Sequence, residues 1–222
     1  MNLKKFEDQV SGVAALDNAI SRRAYRLVID EGWVGRDQAA EALHVARSVA
    51  AFHLEKLVDA GLVKVRFERL SGRTGPGAGR PTKLYGRSTR EFDISLPPRR
   101  YDLAGSLLAH AVWTSESEGT PIAEALADTA RTAGEAVGAA TSKGIPLVEV
   151  LAQHGYEPKE QQHEIKLLNC PFDILAEQHR ELVCGMNLDF LKGVIAGMNE
   201  AESFVPHLSP EPGYCCVRFV AV

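Results

Sequence analysis

Four cysteines fall in the second half of the chain, Cys170, Cys184, Cys215 and Cys216, with His179 and His207 among them. A thiolate can act as a nucleophile, a redox centre or a soft metal ligand. Nucleophilic catalysis needs a base beside the sulfur, and the nearest candidate pair is Cys184 with His179. Five residues apart on a helix places them about 140° apart, and nothing in the sequence orients the histidine. An enzyme is therefore not expected. A zinc or cluster site needs three or four soft ligands converging from separate elements. Here a helix flanked by two strands could bring together Cys170, Cys184 and one of Cys215 or Cys216. Adjacent residues of a strand face opposite ways, so only one of that last pair should point inward, leaving the other a bystander. The alternative is that the cysteines are buried as small hydrophobes. No short paired-cysteine spacing of a zinc ribbon is present.

The elements that must position these sulfurs follow from periodicity and punctuation. Helical patterns are expected over residues 101–113, 122–140 and 147–155, and one long or two broken helices over 172–198. A strand is expected over 163–168, and a closing hairpin over 204–208 and 215–222. The turn residues of that hairpin are Ser209-Pro210-Glu211-Pro212-Gly213. Residues 143–222 thus read as an α+β effector domain. The alanine-rich stretch 122–140 permits close helix approach, within the chain or between copies. Pro97-Pro98 marks a linker, so the chain divides into 1–96, a helical connector over 97–142 with a possible role in dimerisation, and 143–222.

The first domain carries a different chemistry. Residues 1–100 hold 18 Lys and Arg against 12 Asp and Glu, or +6, whereas residues 101–222 hold 7 against 17, or -10. The formal total of -4 excludes a uniformly basic coat, but the asymmetry points to an anionic partner for the first half. The bias is sharpest between Lys64 and Arg90, where eight basic residues face the lone Glu68. Around this segment the spacing predicts helices over 16–29 (ended by Gly32), 36–43 and 46–60, with His44-Val45 as a tight turn and Gly61 as a cap. Residues 62–70 alternate as a strand, 71–81 form a glycine-rich basic loop, and 83–85 return as its partner. This is the order of a winged helix-turn-helix, in which the N-terminal part of the second helix of the pair enters the major groove.

Arg47, Ser48, Val49 and Phe52 are accordingly the expected base or phosphate contacts, with Lys56 further along. Phe52 could touch thymine methyls or pack inward, and His53 reads as a partly buried, hydrogen-bonded histidine. Arg69, Arg73, Arg80 and Lys83 are the expected backbone contacts of the wing. A nucleotide loop is excluded: no Gly-Lys-Ser/Thr closes the glycine run, and Arg80 stands where a dinucleotide fingerprint needs its third glycine.

Residues 34–90 resemble the winged helices of ArsR-like and SufR-like bacterial transcriptional regulators. The resemblance rests on Ala51-Phe52-His53-Leu54-Glu55-Lys56-Leu57-Val58-Asp59-Ala60-Gly61-Leu62-Val63 and Gly79-Arg80-Pro81-Thr82-Lys83-Leu84-Tyr85. It implies sequence-specific binding of double-stranded DNA by a homodimer, on half-sites roughly 34 to 36 Å apart. Asn169-Cys170-Pro171-Phe172, Leu182-Val183-Cys184 and Gly213-Tyr214-Cys215-Cys216 are similar to the C-terminal domain of SufR-type regulators. That similarity implies an iron-sulfur cluster that reports redox or iron status. The family places a further cysteine where this chain has His207, so the implied ligand set is three cysteines with His207, or three with an exogenous fourth ligand. The other reading keeps the DNA-binding half and gives the second domain zinc or a small organic ligand, or leaves the cysteines structural. With no run of 18 or more apolar residues and no apolar leader at the start, the expectation is a cytoplasmic protein without membrane contact.

Overall fold

The computed structural model describes residues 3–69, 80–141, 143–199 and 203–222. Arg73 and the rest of the loop tip, 70–79, lie outside the described residues. The chain is mixed helix and sheet and divides into two compact units, 2–94 and 95–222.

The first unit runs α1 (Leu3–Ala14), α2 (Ala19–Glu31), β1 (Trp33–Gly35), α3 (Arg36–Leu43), α4 (Arg47–Asp59), β2 (Val63–Glu68) and β3 (Thr82–Arg87). The Asn18 side chain accepts from the N–H groups of Ile20 and Ser21, which starts α2 three residues later than the apolar period alone suggests. Between α3 and α4, His44 takes the left-handed conformation, φ 56° and ψ 47°, and its N–H closes on Glu41 O. That single residue turns the chain sharply enough for α4 to cross α3. The three strands pair antiparallel in the order β1-β3-β2, with Val34 opposite Tyr85 and Val65 opposite the same residue. Val28, Val34, Leu54, Leu57 and Tyr85 are fully buried between helices and sheet.

The second unit runs α5 (Tyr101–Glu118), α6 (Ile122–Ala140), α7 (Leu147–Gln153), β4 (Pro158–Gln161), β5 (Glu164–Leu167), α8 (Asp173–Gln178), α9 (Arg180–Met198), β6 (Phe204–Leu208) and β7 (Val217–Ala221). Its antiparallel sheet has the order β4-β5-β7-β6. The helices drawn from sequence as a separate connector, 97–142, belong to this unit.

The reason lies in their glycines rather than their alanines. A Cβ on Gly134 would stand 2.0 Å from Phe190 O, and one on Gly138 2.2 Å from Val194 O. Reciprocally, a Cβ on Gly193 would stand 2.1 Å from Arg131 O, and one on Gly197 2.2 Å from Glu135 O. Glycines four apart on each helix let α6 and α9 meet backbone to backbone. With α6 on one side, α9 buries Val183, Cys184, Met186, Asn187, Phe190, Leu191, Val194 and Ile195, and is the central helix of the unit.

Candidate functional site

In the second unit, three separate stretches of chain deliver the four cysteines to one cleft. Cys170 follows β5 in the loop that leads to α8, Cys184 stands in the second turn of α9, and Cys215-Cys216 precede β7. All four line the cleft, together with Asp173, Ala176, Glu177, Arg180 and Tyr214. None is in a disulfide.

Two expectations are corrected here. Cys216 is no bystander: β7 begins only at Val217, and a bend at Cys216 frees the pair from the alternation a strand imposes. His207 is not at the cleft. It sits on β6 opposite Arg218, whose Nε donates to His207 Nε2 at 3.0 Å, and it is absent from the cleft lining. Among the described residues, the cleft is lined by all four cysteines and not by His207. His179 is exposed at the junction of α8 and α9, outside the lining.

The thiols are linked to one another. Hydrogen bonding with Cys215, reinforced by burial, pushes Cys170 far up. For Cys215 itself the bond with Cys170 pulls down, but the bond with Cys216 and burial outweigh it and push it up to about 12. The bond with Cys184 pushes Cys216 up to about 12, while that same bond holds Cys184 below the usual thiol value against burial. Of the four, Cys184 is the one whose thiol is drawn below its usual value, and the other three are pushed up. A soft cation would displace the thiol protons and cancel the repulsion between thiolates. Among the described residues no three donors already stand arranged around a metal ion. The donor set nevertheless fits one in kind: four thiols from three stretches of chain line one cleft, and thiolates are the soft ligands that zinc and iron-sulfur clusters take.

Behind the cleft are residues whose roles sequence reasoning missed. Arg99 donates to Asn169 Oδ1 at 2.6 Å and to the Cys170 carbonyl at 2.7 Å, and pairs with Asp173 at 3.1 Å. Asn169 in turn donates to the carbonyls of Pro98 and Gly155 at 2.9 and 2.6 Å, and Arg100 N–H donates to Pro171 O. The stretch 98–100 is in this way clamped to the loop that carries Cys170. The only sequence signal was Asn169 beside Cys170, a polar residue that is 5% exposed.

The first unit presents a second surface. Arg47 and Ser48 are exposed at the start of α4, Val49 and Lys56 are half-buried, and Arg69 and Arg80 are exposed at the two feet of the hairpin. Arg47 and Arg80 share one groove, and Arg47 also pairs with Asp37 at 2.5 Å. Phe52 is 64% exposed, which decides between the two readings of it: it does not pack inward. His53 is buried and hydrogen-bonds to Ser21 Oγ through Nδ1 at 2.9 Å, as expected.

Lys83 has a partner within the unit. It donates to both oxygens of Glu55 at 2.7 Å, and Arg36 and Tyr85 also bond Glu55. Burial pushes the Glu55 carboxyl up, but the bonds from Lys83, Tyr85 and Arg36 outweigh it and hold it at about 2. A carboxylate facing outward along α4 was the overlooked signal, since it draws a nearby lysine away from solvent. Lys83 thus ties β3 to α4 while it lines the groove that Arg47 and Arg80 share.

Among the described residues no helix is long and apolar enough to cross a membrane. No family model, curated protein or solved structure matches the chain.

Proposed function

We propose that the chain is a DNA-binding transcriptional regulator that senses redox or iron status through an iron-sulfur cluster on Cys170, Cys184, Cys215 and Cys216. The observation that carries this reading is the convergence of all four cysteines on one cleft from three separate stretches of chain. Chance burial of small apolar side chains gives no reason for the four to meet. When bound, a cluster supplies one-electron redox chemistry and sensitivity to oxidants and iron supply. The chain's own part is to supply four sulfurs, exclude bulk solvent from Cys215, and fix Cys170 to the clamped stretch 98–100.

DNA binding is supported by the order α2-β1-α3-α4-β2-β3, which is that of a winged helix, and by the exposed set Arg47, Ser48, Phe52, Arg69 and Arg80 on α4 and the hairpin feet. Double-stranded DNA is the proposed partner and a homodimer the proposed assembly. A second reading, zinc in place of the cluster, is favoured by the same donor set, because four thiolates are also a common ligand set of structural zinc.

The deciding experiment is anaerobic purification with iron, sulfide and zinc analysis, followed by selection from random duplex DNA. The expected result is a brown protein with sulfur-to-iron charge-transfer absorption, stoichiometric iron and sulfide, and an enriched DNA motif. A colourless protein with stoichiometric zinc would replace the cluster by zinc. Recovery of no enriched motif would remove the regulator reading.

A further inference from the structure

Tyr156 and Asn187 are 2% and 1% exposed, among the most deeply buried polar residues of the second unit, and the function proposed above leaves both without a role. Asn187 stands in α9 three residues after Cys184, surrounded along the helix by Val183, Met186, Phe190 and Leu191. A buried amide in such company is costly unless every polar group is paired. Both sides of this one are. Tyr156 Oη donates to Asn187 Oδ1 at 2.5 Å, and Asn187 Nδ2 donates to Cys215 Sγ at 3.3 Å.

The phenol hydroxyl donates to the amide oxygen, which leaves the NH2 group facing Cys215. A neutral thiol could donate to the flipped amide, whereas a thiolate can only accept, so a metal-bound Cys215 sulfur would hold the amide in the orientation seen here, with the Tyr156 hydroxyl completing it. An N–H donor gains little from a neutral thiol, which is a weak acceptor, and about twice as much from an acceptor carrying negative charge. If the pair served only to fill space, a leucine and a phenylalanine would do so without the cost of burying polar atoms.

We infer that Asn187, oriented by Tyr156, is a positioning residue for a metal centre: it holds the Cys215 sulfur as a metal-bound thiolate and withdraws electron density from it. This rests on the reading of the four cysteines as metal ligands. It adds that the Cys215 sulfur receives a fixed N–H donor from the α9 side, so this ligand is tuned by a residue that never touches the metal.

The test uses the full chain, reduced and free of metal, titrated with cobalt(II) under anaerobic conditions and followed by thiolate-to-cobalt charge-transfer absorption. The variants are Asn187→Asp, which keeps the shape but faces the sulfur with an oxygen, and Tyr156→Phe, which removes one hydroxyl. Asn187→Asp is expected to weaken cobalt binding by roughly 10- to 100-fold and to move the charge-transfer band to lower energy, because an unrelieved thiolate gives up its electron more readily. Tyr156→Phe should show both effects in the same direction and smaller. In the iron-reconstituted chain, Asn187→Asp should also lower the reduction potential, since a donor to sulfur favours the more negative reduced state. Should Asn187→Asp fail to fold, Tyr156→Phe carries the decision alone. Wild-type affinity with an unmoved band in the folded variants overturns the inference while leaving the metal centre intact. Absence of a thiolate-to-cobalt band in the wild-type chain removes the metal centre itself, and the inference with it.

Discussion

Glu55 concentrates the chemistry of the first unit in one carboxylate. Three donors from α3 and β3 meet it, and they leave its side chain 35% exposed, so solvent screens part of their attraction. Glu55→Gln should therefore cost only about 1 kcal/mol in urea unfolding at pH 7. The pH dependence is more telling. With the folded carboxyl held at about 2 against an ordinary 4.5, its contribution is complete above 4.5 and is lost as pH falls from 4.5 towards 2. The wild type should lose stability across that window, and the Gln variant should lose less. Equal slopes would mean that the three bonds do not discriminate between the charged and neutral forms. At the groove, Arg80→Ala should weaken all duplex sequences alike and make the slope of log K against log salt shallower by about one unit, whereas Ser48→Ala should change sequence preference. Binding titrations at several salt concentrations on two unrelated duplexes check both.

Helix α6 meets α9 through glycines, and this contact sets the geometry of the element that carries Cys184 and Asn187. Gly134→Val would put side-chain carbons where the Phe190 carbonyl stands, so the helices must part. The expected loss is about 1 to 3 kcal/mol or more, measured by thermal unfolding, with metal uptake reduced in step. Full stability in that variant would show that α6 and α9 can slide apart without cost. The clamp on the stretch 98–100 acts at the same scale. Arg99 grips the carbonyl of Cys170 itself, so under the proposed function any movement of the Cys170 loop would be passed to the chain segment that leads out of the unit. Arg99→Ala should leave cobalt binding within a few fold of wild type and abolish the effect of metal on DNA affinity. Retained coupling in that variant would place the transmission elsewhere.

For the molecule as a whole, reciprocal linkage requires that whatever metal does to DNA binding, DNA does equally to metal binding. Comparison of metal-free and loaded protein should give a ratio of DNA affinities of roughly 5- to 150-fold, the usual range for coupled sites. A ratio of one would show that metal in the cleft does not control DNA binding. The charge distribution suits this division of labour. The +6 of the first hundred residues would favour an anionic duplex as the proposed partner, and the -10 of the remainder would not.

Much of this was written in the order of residues. Helical period and glycine punctuation located α2, α3, α4, α6, α7, α9 and the final hairpin, because each has an apolar face or a turn signal strong enough to stand alone. The helix α1 was within reach too, since Leu3, Phe6, Val10 and Val13 recur at helical steps. Strand β1, of three residues, is too short to show alternation, and β4, Pro158–Gln161, has no apolar face to alternate. Which side chains meet was a different matter. Residue types alone proposed sulfur as the ligand, but the late start of β7 admitted Cys216, the pairing of β6 with β7 gave His207 to Arg218, and the approach of β3 to α4 gave Lys83 to Glu55. Periodicity is a property of neighbours along a chain, set by local backbone geometry. Convergence of ligands depends on where strands begin and how helices pack, and those are settled only when distant segments share a core.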